Sequence, residues 1–200
     1  MAWLTYKPTR IPVVSYQPHK TRCSASTIWS NSISTRANIL LSSYSKSKPL
    51  DVTLKFFRLL PHRDTLSWNT ILAASSQQGW YIMVLHLFVE MLALASQLPD
   101  SKTLRLVLEA CAVTSNLLFA LQVHGYILKL QGLYSVDVIT NTRLICLYRE
   151  FGLIENAHQV FERISNRDVV ASVAMMAAFN EVGQYEETLR IFSNLLRDKK

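Results

Sequence analysis

Shifted so that Asn38 falls on Thr142, the chain aligns with itself. Leu40 then meets Leu144, Leu41 meets Ile145, Tyr44 meets Tyr148, Phe57 meets Phe161, Arg63-Asp64 meets Arg167-Asp168, Gly79 meets Gly183, Leu85 meets Leu189 and Phe88 meets Phe192. The register holds without an insertion, which is the mark of a tandem repeat. Repeat arrays bury apolar faces between neighbouring units, so function belongs on the surface that stacking presents, not in a single deep pocket.

Half of the 200 residues are apolar, enough for a sizeable core, and 5 glycines with 6 prolines are too few for a turn-rich sheet protein. The expected class is all-α. A net charge of +7 favours polyanionic partners, yet Lys7, Arg10, Lys20, Arg22, Arg36, Lys46 and Lys48 all precede the first acid, Asp51. The remainder is balanced, so charge alone does not establish nucleic-acid binding. Cys23, Cys111 and Cys146 form no C-x-x-C pair and leave one thiol over in any disulfide scheme, which fits a reducing compartment. No apolar run is long enough for a membrane span.

Residues 1–33 carry basic residues without acids and a Ser/Thr cluster, the composition of an organelle transit peptide, and are expected to be a disordered leader. A plain basic tail is the alternative. The arginine content tilts the compartment towards the mitochondrion, with the chloroplast or another plastid as the alternative.

From residue 34 onward the pattern divides into two-helix units at 34–64, 65–100, 101–137, 138–168 and an incomplete 169–200. In the first helices Ile39, Leu40 and Tyr44, then Trp68, Ile71 and Leu72, share helical faces. In the second, the pattern predicts inward faces through Val84, Leu85 and Phe88, and through Leu117, Leu118, Ala120, Leu121, Val123, Ile127 and Leu128. Gly79, Gly152 and Gly183 sit where a helix must reverse. Phe57, Phe88, Phe161 and Phe192 recur at one point of the second helix, as a ring packed between hairpins requires.

The phrases "SWNTIL" at 67–72, "LHLFVEM" at 85–91, "VLEACA" at 107–112, "QVHGYILK" at 122–129 and "AHQVFERISNRDVV" at 157–170 resemble the plant pentatricopeptide repeat family. The alternating unit lengths resemble its subclass of short, standard and long repeats. The W-x-x-L-G-x-x-Y pattern of tetratricopeptide repeats is absent. The resemblance implies a right-handed α-solenoid whose first helices line a groove for single-stranded RNA, about one base per repeat. It further implies that a polar residue early in the first helix reads the base together with the last residue of the same repeat.

On this resemblance the first repeat offers Asn38 with Asp64 and the second Asn69 with Asp100, pairs associated with uracil, while the fourth offers Thr142 with Asp168, associated with guanine. Leu66, Ile139 and Val170 occupy the place that packs on the base, where Thr35 and Lys102 are less usual. Arg105 with Asp137 matches no settled pair, and Val173 stands where an amide or hydroxyl is expected. The bland readings stay open: the polar residues compete for backbone groups near helix starts, and the aspartates cap the following helices.

No H-x-E with C-x-x-C, G-x-x-x-x-G-K-[ST] or G-x-S-x-G occurs. His124, where other repeats carry Phe, reads as a structural histidine. The expected protein is an RNA-binding adaptor in organellar RNA processing, without catalysis, metal or cofactor of its own, which works with RNA-editing or processing proteins. The alternative is a protein-interaction scaffold.

Overall fold

The computed structural model describes residues 25–94, 98–131 and 137–197, with side chains from Ser34 onward, Gln131 excepted. Every regular element among them is an α-helix: α1 Ala25–Ser47, α2 Leu50–Leu59, α3 Thr65–Gln77, α4 Tyr81–Ala93, α5 Ser101–Val113, α6 Leu117–Gln131, α7 Val138–Glu150, α8 Ile154–Glu162, α9 Val169–Glu181 and α10 Tyr185–Arg197. The expected all-α class and the hairpin order are those observed. Most of the leader, residues 1–24, lies outside the described residues, and α1 takes in the rest of it from Ala25.

The helices form two compact units, one up to Ala110 and one from Cys111. In the first, α1 packs on α2 and α3, and α3 also packs on α2 and α4. Its centre is Trp68, fully buried, with the Phe57 ring edge-on at 4.7 Å. In the second, α7 packs on α8 and α9, α8 on α9, and α9 on α10. The buried Tyr148 hydroxyl lies 2.6 Å from His124 Nδ1, so this histidine fills a ring site in the core. Burial first, and the Arg163 charge second, push the His124 pKa below the ordinary 6.5.

Turn chemistry explains the hairpins. At Gly79, Gly152 and Gly183, φ is +76°, +70° and +74°, and the next residue closes the helix end by donating to a carbonyl five positions back, as Leu153 N does to Tyr148 O at 2.8 Å. The α5–α6 connection lacks glycine, and Ser115 takes the same left-handed conformation at φ 49°, with Asn116 N bonded to Cys111 O at 3.0 Å.

Two of the repeat boundaries are stapled by an Arg-Asp pair, Arg63-Asp64 and Arg167-Asp168. Arg63 lies over the Phe57 ring at 5.2 Å and donates to the Arg58 carbonyl. Arg167 lies over Phe161 at 4.6 Å and donates to the Phe161 carbonyl. The arginine thus closes the outgoing helix while the aspartate opens the next.

Several sequence expectations change. Ile39 and Leu40 are exposed, and Leu41 is the buried apolar residue among the described side chains of α1. On α6, Leu118, Leu121 and Leu128 face outward, whereas Phe119, Ala120, Val123, Ile127 and Leu130 are buried at helical spacing. Phe192 and Leu189 on α10, which packs on α9, are exposed although Phe88 and Leu85 in the same register are buried.

Candidate nucleic-acid interface

Repeat register puts Asn69, Arg105, Thr142 and Val173 at the fifth residue of α3, α5, α7 and α9. The residue before α3, α7 and α9 is Asp64, Asp137 and Asp168, each in extended backbone with its carboxylate accepting an N–H three residues on. The bonds are Ser67 N to Asp64 Oδ1 at 2.8 Å, Thr140 N to Asp137 Oδ1 at 2.8 Å and Ala171 N to Asp168 Oδ1 at 2.7 Å. Asp100 caps α5 in the same way through Thr103 N at 2.8 Å. Capping satisfies one otherwise orphaned donor and leaves the second carboxylate oxygen for other work.

In the first two layers that second oxygen holds the amide of the preceding helix. Asn38 Nδ2 donates to Asp64 Oδ2 at 2.8 Å, and Asn69 Nδ2 donates to Asp100 Oδ2 at 2.8 Å. The same residue therefore caps one helix and orients a side chain on its neighbour. An ionised carboxylate only accepts, so the amide nitrogen must face it, which fixes the amide flip. Burial raises the Asp64 pKa, but bonds from the Ser67 N–H, the Asn38 amide and the Ser34 hydroxyl outweigh it and hold the carboxyl below its ordinary 3.8.

The third pairing is built differently. Thr142 Oγ1 donates back to Val138 O on its own helix at 2.9 Å. A hydroxyl has one proton, so Thr142 does not donate to Asp168 in this arrangement, and Asp168 keeps its capping bond.

Exposure separates the remaining residues. Leu66, Ile139 and Val170, each at the second residue of its helix, are 58%, 60% and 65% exposed. Aliphatic side chains held in water at one repeat position are available to cover an apolar face. The polar residues are much less open: Asn38, Asn69 and Thr142 are 7%, 3% and 8% exposed. These side chains present only a narrow polar edge to solvent. Each of the two asparagine amides retains a second N–H for an outside acceptor.

Two contributors escaped the sequence reading. Ser34 Oγ donates to Asp64 Oδ2 at 2.9 Å, and Thr103 Oγ1 lies 2.6 Å from Asn69 Oδ1. A signal for the second exists in the recurring Asp-x-x-Ser/Thr at 64–67, 100–103 and 137–140, although it predicts a cap rather than a contact with the previous layer. No cluster of metal-ligating side chains occurs among the described residues, and no described helix is long and apolar enough to cross a membrane.

Comparison with known proteins agrees with this architecture. The family described as PPR repeat, the pentatricopeptide repeat, matches residues 66–94. A chloroplastic pentatricopeptide repeat-containing protein of Arabidopsis thaliana is 33% identical over 159 residues, covering 79% of this chain and 21% of its own length. A second from that plant, named chloroplastic/mitochondrial, is 32% identical over 164 residues, covering 82% of this chain and 25% of its own length. The chain thus spans about a fifth to a quarter of these curated relatives. Among solved structures, the nuclear proteinaceous RNase P 2 of Arabidopsis thaliana matches with a TM-score of 0.64 at 17% identity, over 80% of this chain and 38% of that one. The pentatricopeptide repeat protein PPR10 from maize matches at 0.53 with 22% identity, over 82% and 24%. These likenesses give the α-solenoid fold class. The repeat match and the relatives together support a plant pentatricopeptide repeat protein.

Proposed function

We propose that the chain binds single-stranded RNA through the polar reading residues and the exposed aliphatic residues of its first helices, as an adaptor in organellar RNA processing without catalysis of its own. The observation that carries this reading is the repeated Asn–Asp pair: in two successive layers an amide is held at 2.8 Å by the carboxylate that ends the repeat. Exposed aliphatics at the second helical position support it, since a base needs an apolar cover as well as a polar edge. In this reading Asn38 with Asp64 and Asn69 with Asp100 favour uracil, Thr142 with Asp168 favours guanine, and Leu66, Ile139 and Val170 pack on the bases. RNA-editing or processing proteins then act on the presented transcript. The alternating short, standard and long repeat plan belongs to the same reading.

Relatives named chloroplastic or mitochondrial support an organelle as the site of action, and the arginine content of the leader favours the mitochondrion. Base stacking contributes only about 1–3 kcal/mol per base, so a few repeats bind loosely and gain from partners. The test is a titration with U-rich single-stranded RNA at two salt concentrations, using the parent, Asn69→Ala and Asp100→Ala. Salt-sensitive binding that both variants weaken supports the reading. Parental affinity in both variants overturns the assignment.

A further inference from the structure

The two Asn–Asp layers share a sequence pair but not a hydrogen-bond pattern. In the first layer the extra hydroxyl, Ser34, joins Asn38 on the carboxylate oxygen Asp64 Oδ2. In the second the extra hydroxyl, Thr103, reaches the amide itself, with Oγ1 at 2.6 Å from Asn69 Oδ1 and 3.0 Å from Asp100 Oδ1. Thr103 is fully buried at the third residue of α5, and its backbone N–H already belongs to the cap. Its single hydroxyl proton goes to the nearer acceptor, the amide oxygen.

We propose that Thr103 is a positioning residue for base selection at the second repeat, acting through Asn69. This inference rests on the RNA-binding reading above. With Nδ2 tied to Asp100 and Oδ1 tied to Thr103, the amide is gripped at both polar ends and neither flips nor swings out. One N–H and one oxygen lone pair remain for a base, and because the amide cannot flip their order is fixed, which favours uracil's N3–H and carbonyl over cytosine, where donor and acceptor are exchanged. A carbonyl that accepts a hydrogen bond also polarises its amide and strengthens the remaining N–H as a donor. Asn38 lacks that grip: the equivalent hydroxyl, Ser67 Oγ, donates to the Asp64 backbone carbonyl at 2.8 Å. The second layer is therefore the more selective of two layers with identical reading pairs.

The experiment measures, with the full chain, the ratio of affinities for a U-rich single-stranded RNA and a series carrying C at one position each. The position read by Asn69 is the one whose preference Asn69→Ala removes. Thr103→Val, which keeps the buried volume and removes the hydroxyl, should reduce the U over C ratio there by roughly three- to tenfold, the size of one hydrogen bond. Thr103→Ser should retain it. Thr140→Val, which removes a buried hydroxyl without a hydrogen-bond partner at the same repeat position, should change no ratio. In the parent, side-chain nuclear relaxation should find the Asn69 amide more restricted than that of Asn38, a readout independent of whether any variant folds. Parental selectivity in Thr103→Val, or equal mobility of the two amides, overturns the inference while leaving the reading intact. A parent whose base preference does not depend on Asn69 overturns the reading and the inference with it.

Discussion

Asn69 donates to Asp100 Oδ2 at 2.8 Å, while Oδ1 of the same carboxylate accepts the Thr103 N–H at the start of α5. Two substitutions separate these roles. Asp100→Asn keeps an oxygen for the cap but turns a donor towards Asn69. Chemical denaturation should find it within about 1 kcal/mol of the parent, since Asn caps about as well as Asp, while selectivity at that repeat falls. Asp100→Ala should lose both selectivity and about 1 kcal/mol of stability.

Acid should loosen the chain in two stages. The His124 pKa is lowered on folding, so below about 6.5 the unfolded chain binds more protons than the folded one and stability falls with pH. The Asp64 pKa is also lowered, so its contribution is present above its ordinary 3.8 and is lost as pH falls through the lower folded value. Urea midpoints measured from neutral pH downward should decline in the parent. In His124→Phe the first part of the decline should shrink.

Four of the five hairpin turns hold a residue in the left-handed region, glycine in three and Ser115 in the fourth, and that difference is measurable. Gly152 sits at φ +70° with open space around it, so Gly152→Ala meets no clash and carries only the backbone penalty, about 1 kcal/mol. Ser115 carries that penalty already at φ 49°, so Ser115→Gly should raise the thermal midpoint. Calorimetry of both variants should give shifts of opposite sign.

Thiol chemistry should report the core. Cys111 is fully buried and its pKa is pushed up to about 12 by burial, whereas Cys146 is half-buried. Brief alkylation at mildly alkaline pH followed by peptide mapping should modify Cys146 well before Cys111. Comparable modification of both would mean that Cys111 is not buried in the core.

Much of the fold was legible because helical repeats write their register into the chain: the glycine turns, the buried Phe57, Phe88 and Phe161, and the aspartates before α3, α5, α7 and α9 fall as expected. Periodicity was less informative on faces rich in leucine. It did not distinguish Leu118, Leu121 and Leu128 from the buried Val123 and Ile127, because all five satisfy an apolar pattern. Ser115 was illegible for a related reason, since any residue can be forced left-handed when the helices on both sides demand it. At the interface the Asn–Asp pairing was anticipated through family resemblance. The near-burial of Asn38, Asn69 and Thr142 was not, and neither was the Thr103 contact, because both depend on how one layer closes over the next.

The most direct measurement is equilibrium competition of the parent chain between U-rich single-stranded RNA, a C-rich strand of equal length and an RNA duplex. The account predicts preference for the U-rich strand, with the C-rich strand weaker and the duplex weakest. Equal binding to all three would contradict it, since charge attraction alone would then suffice and the paired amides would read nothing.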